Sequence, residues 1–132
     1  MIKSITIGFT SGTIGGMANV LFLSIIALIG LQSFVDPGNI TTFKPFLYKQ
    51  MVWGGLWGII MALIFMPKNW LLRGIIFALI TTTVVFFYVL PSKGLGIAGL
   101  ERGINIPFLV LGANLSWGIV TSFFVSYFHS NS

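Results

Sequence analysis

Four long apolar runs, separated by short polar stretches, dominate the chain. The first extends from about Ile5 to Leu31. It is too long for the core of a signal peptide and no small-x-small cleavage site follows it, so it reads as a retained helix. The second opens at Pro45, a residue suited to a first helical turn, and reaches about Met66. Pro67-Lys68-Asn69 makes a very short turn, which predicts that the second and third helices form an antiparallel hairpin. The third run, from about Trp70 to Leu90, stops at Pro91, and the fourth extends from Pro107 to about Phe128. Each is about 20 residues or longer, and a rise of about 1.5 Å per residue carries such a helix across a hydrocarbon layer of about 30 Å. The prediction is an all-α integral membrane protein, a single domain over 1–132 with transmembrane helices at about 5–31, 45–66, 70–90 and 107–128.

The two remaining connectors differ in character. Residues 32–44 contain Asp36-Pro37-Gly38-Asn39, a strong turn signal. Residues 91–106 hold Gly94, Gly96, Gly99 and Gly103 around Glu101-Arg102 and read as irregular. The halves of the chain also echo one another. Pro45-Phe46-Leu47 opens the second helix and Pro107-Phe108-Leu109 the fourth; Trp57-Gly58-Ile59 and Trp117-Gly118-Ile119 lie in their middles. The echo predicts two tandem helical-hairpin repeats about an axis along the membrane normal.

Composition supports the membrane reading. Charged residues are 7 % and hydrophobic residues 56 % of the 132 positions, and the mean hydropathy is +1.01. A soluble domain carries charge on about a quarter of its positions, and a globule this small leaves much of its surface exposed. The net charge of +5 rests on seven scattered Lys and Arg residues near the ends of apolar runs. That placement suits phospholipid headgroups, not nucleic acid, for which no basic cluster exists. The N-terminal side carries Lys3, Lys68 and Arg73, the opposite side Lys44, Lys49, Lys93 and Arg102, so charge hardly biases orientation. A bacterial inner (plasma) membrane is the expected location.

Candidate chemistry is sparse. The chain has no Cys, and its lone His129 follows the last apolar run. No paired carboxylates, nucleophile motif, phosphate loop or metal-ligand spacing occurs, so no enzyme, cofactor or metal is expected. Both acids, Asp36 and Glu101, fall in connectors, and the Glu101/Arg102 pair reads as a loop ion pair able to guard an entrance. The polar groups inside the helices are uncharged. Asn19 and Asn114 carry amides that need partners in hydrocarbon, and an Asn19–Asn114 contact, or one between protomers, would supply them. Thr81, Thr82 and Thr83 are expected mainly to bond back to their own helix. Trp57 and Trp117 fall near mid-membrane, away from an interfacial belt, so they face protein or a cavity.

Small residues recur every fourth position at Gly8, Gly12 and Gly16, with Ser11, Gly15 and Asn19 as a neighbouring stripe, and Gly54 and Gly58 repeat the device. Gly118 belongs to a similar face of the fourth helix. Such stripes let helix backbones approach closely, within one chain or between the copies of a homo-oligomer.

The architecture resembles that of small multidrug transporters and fluoride channels, but their motifs are missing. Where the former carry a glutamate in the first helix, this chain reads Gly12-Thr13-Ile14-Gly15-Gly16. Where the latter have a Thr/Phe/Ser-rich break in the third helix, it reads Ile80-Thr81-Thr82-Thr83-Val84-Val85-Phe86-Phe87, expected to continue without interruption. Two functions fit the residues. One is an oligomeric channel or transporter-like protein whose path is lined by Asn19, Asn114, Trp57 and Trp117. The other is a structural or accessory protein that binds partner helices or lipid through its glycine faces.

Overall fold

A computed structural model describes residues 2–30, 38–64, 69–94, 96–97, 100 and 103–130, and the described residues are all-helical. Helix α1 spans Ile2–Leu28 and ends in a turn at Gly30, whose φ of 91° suits a residue without a side chain. Helix α2 spans Ile40–Leu63, helix α3 Trp70–Ser92 and helix α4 Asn105–Ser130.

Three of these, α1, α3 and α4, are long and apolar enough to cross a membrane. At 24 residues α2 has the length, but Lys44, Lys49 and Gln50 lower its apolar character.

Two helix starts correct the sequence reading. Helix α2 begins at Ile40, not Pro45, because Asn39 caps it: the Asn39 side chain accepts from the Thr41 N–H at 3.2 Å and its carbonyl from Phe43 N–H at 2.9 Å. Pro45 therefore lies inside the helix and withholds the N–H that Thr41 would have received. Helix α4 starts at Asn105, which leaves Pro107 in the first turn as expected. Asn69 caps α3 by accepting from Leu71 N–H at 3.0 Å and, more weakly, Leu72 N–H at 3.4 Å.

Helix α3 also differs within. It is α-helical to Val84, widens into a π-helical turn over Val85–Val89 and closes with Leu90–Ser92. The expected uninterrupted helix fails here because Pro91 donates no hydrogen bond and its ring crowds the carbonyl four residues back. A wider turn, in which Leu90 N–H reaches Val85 O, relieves that crowding.

The packing order is α2, α1, α4, α3. Helices α1 and α2, α1 and α4, and α3 and α4 form the extensive contacts, whereas α2 barely touches α3. The expected α2–α3 hairpin is corrected accordingly: the short connector joins two helices that pack on other partners. Small residues decide this. A Cβ at Gly8 would lie 2.5 Å from Gly58 O, one at Gly54 would lie 2.6 Å from Gly12 O, and one at Gly16 would lie 2.5 Å from Gln50 O. On the other side, a Cβ at Gly74 would lie 2.7 Å from Gly118 O. Backbones in such contact leave no room for side chains, and the pairing runs antiparallel in each case.

Two apolar clusters hold the ends of the bundle. At the end where α1 begins and α4 finishes, Ile7, Met61, Phe77, Trp117 and Val125 draw all four helices together. At the opposite end Leu23, Leu90, Ile106, Leu109, Val110 and Ala113 join α1, α3 and α4. Helix α2 adds only the half-buried Phe43 and Phe46 there. The bundle is thus closed at one end and parted between α2 and α3 at the other.

Candidate functional site

The parting encloses a cavity of about 380 Å³, within the range of small-ligand sites. Its walls are Leu23 of α1, Phe46 and Trp53 of α2, Val89 and Leu90 of α3 and Val110 of α4. The mouth lies at the end of the bundle that carries the two long connectors, since α1 and α3 line it near their C-termini and α2 and α4 near their N-termini.

Polar groups converge at the inner end. Asn19, Gln50 and Asn114, from three helices, line both this cavity and a void of about 10 Å³ below it. Asn19 Nδ2 donates to Asn114 Oδ1 at 3.5 Å, the outer limit of a hydrogen bond. Asn114 Nδ2 donates to Thr82 Oγ1 at 3.0 Å. This chain ties α1, α4 and α3 together at the depth where hydrocarbon would leave an amide unsatisfied. Of the threonine triplet, Thr81 and Thr83 bond back to the carbonyls of Ala78 and Leu79 as expected, and Thr82 is the one drawn into the amide chain.

Tryptophans close the floor. Trp57 and Trp117 line the small void but not the main cavity. Trp117 is 4 % exposed, and its Nε1 has no hydrogen-bond partner among the described residues. That nitrogen lies against Gly54, where a Cβ would approach it to 2.8 Å. Trp57 is half-buried and meets Trp53 edge-on at 6.1 Å between ring centres. Of the four residues expected to share one lining, the asparagines reach the cavity and the tryptophans plug its base.

Two lysines mark the mouth. Lys49 of α2 and Lys93, just beyond α3, both line the cavity. Burial, and then the neighbouring Lys49 ammonium, hold the Lys93 ammonium below its ordinary value of 10.5. Sequence reasoning missed this pair. Each had the look of an isolated helix-end residue, and nothing in the local sequence joins them.

The remaining candidates are placed elsewhere. Glu101 and Arg102 lie outside the described residues. Gly8, Gly12 and Gly16 face Gly58, Gly54 and Gln50 of α2, and Gly118 faces Gly74. Ser11, Gly15 and Asn19 are buried; a Cβ at Gly15 would meet Thr121 and Trp117, and Asn19 meets Asn114, so this second stripe serves the contact with α4. Both stripes are filled from within the chain. Arg73, which its place near a helix end would let reach outward, instead turns to α4: its guanidinium donates to Ser122 Oγ at 2.7 Å, Ser122 O at 2.8 Å and Ser126 Oγ at 2.6 Å. Among the described residues no three His, Cys, Asp or Glu side chains converge to hold a metal. Comparison with known proteins finds no family model that matches the chain, no similar curated protein and no similar solved structure.

Proposed function

We propose that the chain is a small membrane carrier, which holds a solute in the cavity and exposes it to one face of the bilayer at a time. The observation that carries this reading is that the cavity is one-ended. It narrows onto Asn19, Gln50 and Asn114 and stops at Trp57 and Trp117. An open channel needs a path past that plug, whereas a carrier requires a block on one side of its site.

Two further features support the reading. Helix α2 is the least apolar of the four, and Lys49 and Gln50, two of its polar residues, line the cavity. Polarity spent on a cavity wall is compatible with a fourth crossing. The contacts of the two hairpins also correspond: Gly58 of the first Trp-Gly-Ile run packs on Gly8, and Gly118 of the second packs on Gly74. Matching contacts of this kind are what two tandem hairpin repeats would give, and repeats that rock against each other are a common means of alternating access.

The accessory reading needs free glycine faces, and those of α1 are filled by α2 and α4. A homo-oligomer would likewise have to form through outer faces such as that of Phe87 and Tyr88, which are exposed on α3. A bacterial inner (plasma) membrane as the location belongs to the same proposal.

The natural absence of Cys gives a direct test. A single Gln50→Cys in oriented proteoliposomes is treated with a membrane-impermeant maleimide from either side. Labelling from both faces is expected of a carrier. Labelling from one face alone, or from neither, overturns it.

A further inference from the structure

The wall of the cavity is chemically mixed. Lys49 of α2 and Lys93, just beyond α3, both line it. Leu23, Phe46, Val89 and Val110 give the cavity its apolar wall, and the uncharged amides lie where it meets the small void. Two ammonium groups lining one cavity place positive charge that a bound anion would neutralise. The cavity is open sideways, because α2 and α3 barely meet. A volume of about 380 Å³ admits a head and part of one chain, not a whole two-chain lipid, so the rest of the molecule would leave through the parting.

We infer that the cavity binds an anionic amphiphile, its phosphate or carboxylate head between Lys49 and Lys93 and its apolar chain along Phe46 and Val89 towards the parting between α2 and α3. Each part of the ligand answers one part of the wall. The head meets two cations able to donate charge-assisted hydrogen bonds, and the chain removes Phe46, Val89 and Val110 from water. A free inorganic anion would use only the rim, and a zwitterionic amphiphile of equal chain would bring its own cation against two others. The site deepens the carrier reading by naming a substrate class and rests on it for transport, though not for binding.

Native mass spectrometry of the whole chain, released from an uncharged detergent, tests the site with three probes. These are lysophosphatidic acid, lysophosphatidylcholine with the same chain, and inorganic phosphate. Lysophosphatidic acid is expected to bind one to one and about tenfold tighter than the choline lipid, with inorganic phosphate neither binding nor competing. Lys49→Gln with Lys93→Gln is expected to abolish the preference, and Lys49→Arg with Lys93→Arg to retain it, which guards against a loss through misfolding. Equal binding of the two lipids, competition by inorganic phosphate, or a preference that survives the double Gln variant overturns the inference. The two readings fail separately. Selective binding with one-sided labelling of Gln50→Cys leaves the site and removes the carrier. Two-sided labelling without selective binding leaves a carrier for another substrate.

Discussion

Arg73 and Ser122 are joined by two hydrogen bonds, guanidinium Nε to hydroxyl at 2.7 Å and a terminal nitrogen to the carbonyl at 2.8 Å. The same hydroxyl donates to Trp70 O at 2.6 Å, so one serine serves both the charge and the first turn of α3. Ser122→Ala is expected to lower stability by about 1–2 kcal/mol, because it leaves a half-buried charged donor short of one partner. Arg73→Lys is expected to lose a similar amount, since a single ammonium cannot reproduce the planar fork. Thermal unfolding in detergent, followed by tryptophan fluorescence, checks both; an unchanged midpoint for Ser122→Ala would show that the bond contributes nothing net.

The glycines separate into those that permit contact and those that permit a turn. Gly12 faces the Gly54 carbonyl so closely that an added Cβ would overlap it, while Gly30 has nothing within 4 Å and only its φ of 91° to excuse it. Gly12→Ala is expected to cost about 1–3 kcal/mol by forcing α1 from α2. Gly30→Ala is expected to cost no more than about 1–2 kcal/mol, from backbone conformation alone. A disulfide introduced across the α1–α2 contact reads the difference: its yield should fall in the first variant and hold in the second.

Trp117 contributes through packing, being only 4 % exposed. Its Nε1 has no hydrogen-bond partner among the described residues, so Trp117→Phe should change stability by less than about 1.5 kcal/mol. Trp117→Ala removes a fully packed ring from the closed end and should cost about 3–5 kcal/mol. A large loss in the phenylalanine variant would mean that the indole N–H has a partner after all. The comparison is read by chemical denaturation in mixed micelles.

Lys49 and Lys93 repel one another across the mouth. Because Lys49 disfavours the charged form of Lys93, Lys49→Gln should move the Lys93 pKa up towards 10.5 without restoring it fully, burial being the larger cause. Titration of ¹³C-dimethylated lysines by NMR reads the shift; a downward or absent movement contradicts the pairing. The sign carries over to stability. With its folded value below 10.5, Lys93 binds fewer protons in the folded chain than in the unfolded one between those two values. Its penalty on the fold is therefore full at neutral pH and fades as pH rises through that window.

Much of the arrangement could be read from residue types. Amides within apolar helices must find partners, which made the Asn19–Asn114 contact foreseeable. Glycines at four-residue spacing announced close helix contacts, but the spacing is silent about which helix fills which face. That choice set the packing order and so parted α2 from α3. The lysine pair was illegible for the same reason, since it arises only once α1 and α4 form the central contact. At the start of α2, two signals competed and the asparagine cap won over the proline. The π turn escaped because hydropathy records which residues are apolar and says nothing about which carbonyl each N–H chooses.

That turn has a geometric consequence of its own. Residues on either side of Val85–Val89 belong to one helix but to two angular frames, because a wider turn resets the direction in which everything after it points. Rewinding the stretch as a regular helix with every residue kept would swing the following segment by about 100°, the angle of a single residue in a helix of 3.6 per turn. Lys93 would then be carried round the helix axis away from Lys49. Aim at the rim is thus stored in the winding number of the backbone, and replacing Pro91, which imposes the wide turn, would erase it while every side chain that lines the cavity remained in the sequence.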